Sequence, residues 1–146
     1  MQKTGRVLAV DPGAKRIGIA LSDPTATIAR PLCVIEHVNM PLDAARIAEI
    51  ARENEVYRIV VGLPTGGNGE MLPQSRHSQK LAEAITTQSE IPVCLWDEAN
   101  STQIALRSRI DLNVPVSKRG GHHDALAAVV ILQSYLDAHP QCGETI

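Results

Sequence analysis

Acidic residues stand at three places where the sequence pattern changes from one element to the next. Asp11 follows the first apolar run, Asp97 and Glu98 follow a later one, and Asp124 begins an apolar helical pattern. A divalent cation needs several carboxylate oxygens, contributed by separate elements and gathered in one small space. A cation bound in this way activates a water molecule for hydrolysis and stabilises the leaving oxygen. These positions are therefore candidates for a hydrolytic metal site.

Each position also has a simpler interpretation. Asp11 begins the sequence Asp-Pro-Gly, which is typical of a turn. Asp97 and Glu98 are alternatively solvated residues after a strand, and Asp124 is alternatively a helix N-cap. Ala127 disfavours the N-cap, because it lacks the side chain that a capping box requires. The occurrence of all these acidic positions in one chain favours the metal site.

The position of Asp124 within its helical pattern is unusual for an acidic residue. At helical spacing it shares one face with Ala128, Ile131 and Tyr135, so it heads the apolar stripe that should face the sheet. A carboxylate in such a place is costly unless it is paired or binds a cation. This cost is a second reason to expect a cation near Asp124.

Apolar periodicity predicts the elements that must position these residues. Apolar runs predict strands over 6–10, 17–22, 31–38, 57–62 and 91–96. Helical patterns predict helices that begin near Pro41 and that span 73–87, 101–110 and 124–137. This order indicates an α/β domain with a five-stranded mixed sheet and helices on both faces. Sites in such sheets form beyond the carboxyl ends of the strands, so Asp11 and the pair Asp97–Glu98 would share one edge if their strands are parallel and adjacent.

The composition limits the class of protein. The chain has 146 residues, of which 44% are hydrophobic and 21% charged, as in a globular domain. No apolar run approaches the roughly 20 residues of a membrane-spanning helix, and the first residues lack the apolar stretch of a signal peptide. Two of the three cysteines lie in apolar runs, which is typical of reduced thiols. We expect a cytoplasmic protein with one domain over residues 1–138 and a polar tail over 139–146.

The charge balance bears on nucleic-acid binding. The net charge of −2 is not that of a strong binder, which usually has an excess of lysine and arginine. Acidic residues gathered in a metal site can nevertheless mask a basic rim. The candidates for that rim are Lys15, Arg16, Lys118 and Arg119, with solvated surface positions as their simpler interpretation. Aromatic residues make up only 2% of the chain, which disfavours a platform for base stacking.

Four segments of the chain resemble those of one known family. They are, in order, DPGAKRIGIALSD, RIVVGLPTGGNGEMLPQS, PVCLWDEANST and DALAAVVILQSYLD. In these segments the chain resembles the YqgF/RuvX family, Holliday-junction-resolvase-like proteins regarded as nucleases of the small-subunit ribosomal RNA precursor. The resemblance implies an RNase H-like fold and phosphodiester hydrolysis with a divalent ion, Mg2+ or Mn2+. By position, it implies that the catalytic carboxylates and metal ligands are Asp11, Glu98 and Asp124, with Asp97 beside them.

The chain departs from the family pattern at two places. Ala99 stands where the family typically has an arginine after Asp-Glu, so a guanidinium that would clamp a phosphate is missing there. The lysine-rich stretch before the last aspartate is reduced to Lys118 and Arg119, followed by Gly-Gly-His-His. These departures concern the binding of RNA more than the metal site.

Several functions are compatible with these residues. The one that fits best is a metal-dependent nuclease that processes the 16S ribosomal RNA precursor as a monomer or weak homodimer, away from membranes. One alternative is a Holliday-junction resolvase acting on branched DNA, and another is a non-catalytic RNase H-like module that docks on ribosomal particles. A further alternative is an ATP-binding protein of the actin and sugar-kinase type, whose phosphate-binding hairpin resembles DPGAKRIGIA. Such proteins bind nucleotide between a pair of these domains, and this chain is long enough for one.

Overall fold

The computed structural model describes residues 5–64, 71–98 and 123–139, without the side chains of residues 123 and 124. Within these ranges the strands are β1 (Arg6–Pro12), β2 (Arg16–Ser22), β3 (Ala29–Glu36), β4 (Val56–Leu63) and β5 (Val93–Asp97). The helices are α1 (Met40–Glu53), α2 (Pro73–Gln88) and α3 (His123–Ala138). Several features named in the sequence analysis lie outside the described residues: residues 65–70 (TGGNGE), Ala99, the helix over 101–110, Lys118, Arg119 and the tail from residue 140.

The described strands form one mixed sheet in the order β3-β2-β1-β4-β5. The pairs β1–β2 and β2–β3 are antiparallel, whereas β1–β4 and β4–β5 are parallel. The predicted five-stranded mixed sheet is therefore confirmed. The first and last strands are parallel but not adjacent, because the buried strand β4 lies between them. Both strands still run in the same direction as β4, so their carboxyl ends lie at one edge of the sheet.

Strand β1 is longer than the sequence predicts. Asp11 pairs with Gly18 and Pro12 with Ile17, so both lie within the antiparallel ladder. Proline is tolerated at the end of a strand, where one missing N–H costs little. The prediction that the turn begins at Asp11 is therefore wrong, and the chain turns between Pro12 and Arg16.

The alternation of side chains along the strands divides the core between the faces of the sheet. Leu8 and Val10 of β1 face α1 and α2 and belong to one buried cluster. Val7 and Ala9 point the other way and pack with α3 through Ala128, Ile131, Leu132 and Tyr135. The predicted helices on both faces are thus confirmed for the described residues. The apolar stripe predicted for the last helix does face the sheet.

Helix α1 begins as its sequence predicts and buries an aspartate. Asn39 is the N-cap, and its side chain accepts a hydrogen bond of 3.0 Å from the N–H of Leu42. Leu42 is 55% exposed although it is apolar, while the neighbouring Asp43 is only 2% exposed. The inner position suits Asp43 because its carboxylate has hydrogen-bonding partners there, His37 and the N–H of Val38.

Gln133 fixes the direction in which α3 crosses the sheet. Its buried amide donates to the carbonyl of Thr27 at 3.0 Å and accepts from the N–H of Ala29 at 3.0 Å. Both partners lie in or beside the β2–β3 connection, at the edge opposite to the carboxyl ends of β1 and β5. The second half of α3 therefore lies at that far edge, and its first turn points to the carboxyl edge. None of the helices in the described ranges is both long and apolar enough to cross a bilayer.

Candidate active site

Asp11 lies at the carboxyl edge of the sheet, on the face covered by α3. The preceding residues on the same side of β1, Val7 and Ala9, both pack in the α3-side cluster. Side chains alternate along a strand, so Asp11 falls on that face as well. It is partly exposed, one residue from the end of β1. Asp11 is therefore positioned to face a ligand that approaches this edge from the α3 side.

Glu98 reaches the same face from β5. It follows Asp97, the last residue of the strand, and its carboxylate lies over the backbone of Gly62 in β4. A Cβ atom placed at Gly62 would lie 3.1 Å from Oε2 of Glu98 and 2.5 Å from Cδ1 of Ile131 in α3. Glycine at this position therefore leaves the space that the Glu98 carboxylate and α3 occupy.

Strand register brings Asp11 and Glu98 to the same level of the edge. Val10 pairs with Val61, and Gly62 pairs with Trp96. Asp11 and Gly62 each come one residue after this Val10–Val61 pair, so they lie side by side in the neighbouring strands. The carboxylate of Glu98 lies over that same glycine. Only the strand β4 separates β1 from β5, which spaces their axes by about 10 Å. The structure thus brings together two of the predicted carboxylates on one face of one edge.

The surroundings of Glu98 disfavour its ionised form. Burial raises the pKa of Glu98 above its ordinary value of 4.5, and the neighbouring charge of Asp97 raises it further. A cation next to the carboxylate would have the opposite effect, because an opposite charge favours the ionised form. The site is therefore electrostatically suited to a bound cation.

Asp124 lies in the first turn of α3. Ile131, which packs at Gly62, lies about two helical turns after Asp124, or roughly 10 Å along the helix axis. Because the second half of α3 lies at the far edge, this first turn lies toward the edge that carries Asp11 and Glu98. The side chain of Asp124 is outside the described residues, so its role as a ligand stays a prediction.

The donor set fits a hard divalent cation, although the described side chains form only part of a site. Among them, no group of three or more His, Cys, Asp or Glu residues is arranged to hold a metal ion. The third predicted carboxylate, that of Asp124, is not among these side chains. Asp11 and Glu98 offer oxygen ligands only, which is the chemistry that Mg2+ and Mn2+ prefer.

The predicted basic rim is only partly described. Lys15 and Arg16 are exposed at the β1–β2 turn, at the same edge as Asp11. Lys118 and Arg119 lie outside the described residues. Gly62 is the residue of this edge that sequence reasoning missed. A single glycine inside a run of buried β-branched residues was the available signal, because such a glycine often marks a close approach to the backbone.

Solved structures identify the fold of this chain. RuvC from T. thermophilus, in complex with a Holliday junction substrate, matches with a TM-score of 0.63 at 14% identity, over 92% of this chain and 94% of the other. Fowlpox virus resolvase, in complex with Holliday junction DNA, matches with a TM-score of 0.54 at 13% identity, over 91% and 97% of the respective chains. At such identities the likeness establishes the fold. The chain has the RNase H-like fold of these resolvases, as predicted.

Sequence comparisons identify the family. A family profile described as "RuvX: Holliday junction resolvase" matches residues 5–138. A relative from Roseiflexus sp. (strain RS-1) is 40% identical over 134 residues, covering 92% of this chain and 95% of the relative. A second, from Thermoanaerobacter pseudethanolicus (strain ATCC 33223 / 39E), is 40% identical over 134 residues, covering 91% and 96%. Both bear the name "Putative pre-16S rRNA nuclease". The chain belongs to the RuvX family, and the resemblance found in its sequence is confirmed.

Proposed function

We propose that this protein is a divalent-metal-dependent nuclease that hydrolyses phosphodiester bonds in the precursor of small-subunit 16S ribosomal RNA. The observation that carries the proposal is the placement of Asp11 and Glu98 on one face of one sheet edge, with Gly62 between them. Membership of the RuvX family supports a nuclease, and the names of the relatives support the RNA precursor as its substrate. Its proposed compartment is the cytoplasm.

The proposed metal ligands and catalytic residues are Asp11, Glu98 and Asp124. Bound there, Mg2+ or Mn2+ would supply an activated water and stabilise charge on the leaving oxygen. The protein itself contributes a fixed spacing of carboxylates, since Asp11 is held in the β1–β2 ladder and Glu98 is held against Gly62. Partial burial of Glu98 also keeps its carboxylate weakly solvated, which strengthens its attraction to a cation.

The remaining proposed contacts are made to the phosphates of the nucleic acid. Lys15 and Arg16 are exposed at the edge that carries Asp11, and Lys118 and Arg119 precede α3 in the sequence. Replacing Lys15 and Arg16 together by alanine should weaken binding of all sequences and flatten its salt dependence, because fewer counterions are released. Replacing Lys118 and Arg119 tests the second pair in the same way.

The test is a cleavage assay on a panel of labelled substrates. The panel contains a 16S precursor RNA, an unrelated RNA and a four-way DNA junction, each with magnesium, manganese, calcium or excess chelator. We expect cleavage of the precursor RNA with magnesium or manganese. Calcium should bind without supporting turnover, because its looser coordination misplaces the attacking water.

Matched variants separate the site from the rest of the surface. Glu98→Gln should abolish cleavage, whereas Glu83→Gln, on the exposed side of α2, should leave it unchanged. Preferred cleavage of the junction would make the protein a resolvase acting on branched DNA. Metal binding without cleavage of any substrate would make it a non-catalytic module, and cleavage in excess chelator would contradict the metal site.

A further inference from the structure

A second group of ionisable side chains lies at the carboxyl edge, on the face covered by α1 and α2. Its centre is Asp43 of α1, whose side chain is 2% exposed. The Asp43 carboxylate bonds to Nδ1 of His37 and accepts a 3.0 Å hydrogen bond from the N–H of Val38. A buried carboxylate is stable only with such partners. Asp43 therefore holds the ring of His37 in a fixed orientation.

That orientation leaves the other ring nitrogen of His37 available. Nδ1 is occupied by Asp43, and the His37 side chain as a whole is 31% exposed. Nε2 lies on the opposite side of the five-membered ring, directed away from Asp43. His77 of α2 stands beside it, with the ring centroids 6.1 Å apart and the rings nearly perpendicular at 86°. The two imidazoles thus come from different elements and meet at the surface.

The pair lies close to the candidate active site along the same edge. The N–H of His37 donates to the carbonyl of Lys15 at 2.9 Å, which ties it to the β1–β2 turn. Strand β3, which ends just before His37, is two strand spacings, or about 10 Å, from β1 and Asp11. His37 lies on the α1/α2 face of this edge and Asp11 on the α3 face, so a nucleic-acid strand that crosses the edge from one face to the other would pass both residues.

The charges around the pair favour an anion. The exposed basic residues on this side are Lys15 in the β1–β2 turn, Arg46 in α1 and Arg76 in α2, next to His77. The acidic groups on this side are Asp43, which is buried and bonded to His37, and the exposed Glu36 and Glu49, which line one surface pocket with Asp43 and Arg46. Among these exposed charged side chains, the basic residues therefore outnumber the acidic ones.

We propose that His37, oriented by Asp43 and accompanied by His77, binds a phosphate of the nucleic-acid backbone and takes up a proton in doing so. The inference rests on the proposed nuclease function, and it identifies a phosphate subsite beyond the predicted basic rim. A protonated imidazole donates through Nε2 to a phosphate oxygen in a charge-assisted hydrogen bond. No covalent bond changes, and the proton comes from solvent. Imidazole is the side chain whose charge changes most readily near neutral pH, so the affinity should rise as the pH falls.

The experiment measures binding without cleavage. A fluorescently labelled oligouridylate is titrated with the intact protein in calcium at several values between about pH 6 and pH 8. Calorimetry in buffers of different ionisation enthalpy gives the number of protons taken up. We expect wild-type affinity to rise by about fivefold or more across this range, with net proton uptake.

The variants are chosen to keep the fold. In His37→Asn the amide nitrogen takes nearly the place of Nδ1, so it still donates to Asp43 while Nε2 is lost. His77→Gln removes the second ring without touching Asp43. Both should reduce proton uptake and flatten the pH dependence, at an unchanged Tm. The control is His139→Gln, whose ring packs against Trp96 and Tyr135 on the other face of the sheet, and it should behave as wild type.

The outcomes separate this inference from the nuclease proposal. Equal proton uptake by wild type, His37→Asn and His77→Gln would overturn the inference, even if the protein cleaves RNA. Asp11→Asn should lose cleavage but retain proton-linked binding. If no substrate is cleaved while proton-linked binding depends on His37, the nuclease proposal fails and the phosphate subsite stands. If wild type does not bind the oligouridylate at all, the inference is overturned.

Discussion

The carboxylate of Glu98 lies directly over Gly62, and the space between them has no room for a side chain. A Cβ atom at Gly62 would be 3.1 Å from Oε2 of Glu98, closer than nearly all real Cβ contacts. This contact joins the end of β5 to the end of β4 on the face of Asp11. The position of a proposed metal ligand thus depends on a residue that has no side chain.

Replacing Gly62 by alanine should damage the site more than the fold. The methyl group would displace Cδ1 of Ile131 and push against Oε2 of Glu98, and because both are terminal side-chain atoms that can shift, the loss of unfolding free energy should be about 1 kcal/mol. Cleavage should fall by roughly tenfold to a hundredfold, because small misplacements of catalytic groups have large effects on rate. Denaturant unfolding and cleavage of precursor RNA measure the two quantities.

A double variant separates packing from the position of Glu98. Ile131→Val removes the Cδ1 atom that the new methyl group would meet at 2.5 Å. Gly62→Ala/Ile131→Val should therefore be nearly as stable as Ile131→Val alone, while its cleavage stays low. If cleavage returns together with stability, Gly62 acts only through packing against α3.

The ionisation of Glu98 should be visible in the stability of the metal-free protein. Burial, and then the charge of Asp97, raise the pKa of Glu98 in the folded protein. In the unfolded chain Glu98 loses its proton near the ordinary pKa of 4.5, whereas in the folded protein it keeps the proton to a higher pH. The stability that this difference contributes is complete below pH 4.5 and is lost as the pH rises through the raised pKa. In chelator at neutral pH, Glu98→Gln should melt at or above the temperature of wild type, with a smaller difference near pH 4.5.

The comparison requires melting curves of both proteins across this range of pH, with Glu83→Gln as the control on α2. That control should follow wild type throughout. If Glu98→Gln is less stable than wild type by a constant amount at every pH, the carboxylate makes stabilising contacts and its charge is not disfavoured.

Asp23 should have the opposite pH dependence, at the far edge of the sheet. Burial acts to raise its pKa, but hydrogen bonds from the Thr25 side chain and from the N–H groups of Ile28, Thr27 and Thr25 lower it to about 2. The stabilisation that ionised Asp23 provides is therefore present above pH 3.8, the ordinary pKa of an aspartate, and is lost as the pH falls toward about 2. Asp23→Asn should lessen this acid-induced loss of stability, as followed by unfolding at several acidic pH values. An acid profile identical to that of wild type would contradict the role of these bonds.

The sequence predicts the framework of the site because the framework follows from apolar patterns. The run Tyr57–Gly62 lies in a central parallel strand whose residues 59–62 are buried, and the stripe Ala128, Ile131 and Tyr135 does pack on the sheet. Asp11 was correctly expected near the end of a strand. The strand extends one residue beyond Asp11, because pairing with Gly18 and Ile17 outweighs the turn propensity of Asp-Pro-Gly.

The rest depends on contacts between residues distant in sequence, which a local pattern does not contain. The placement of β4 between β1 and β5 is a property of the whole topology. The contact of Glu98 with Gly62 joins separate strands, and the bond of His37 to Asp43 places a carboxylate on the otherwise apolar inner face of α1. Asp43 occupies a buried position because its specific partners, His37 and the N–H of Val38, are present.

Asp11 is proposed as a metal ligand, and the most direct measurement is the rise in Tm that magnesium produces in wild type and in Asp11→Asn. Magnesium binds the native state and raises its stability, whereas the variant has lost one ligand, so we predict a clear rise for wild type and little or none for Asp11→Asn. Without metal, the variant should melt at or above the wild-type temperature, since one of several neighbouring like charges is removed. An equal rise in Tm for the two proteins, with full cleavage by the variant, would contradict the metal site and leave Asp11 as a residue that only shapes the β1–β2 hairpin.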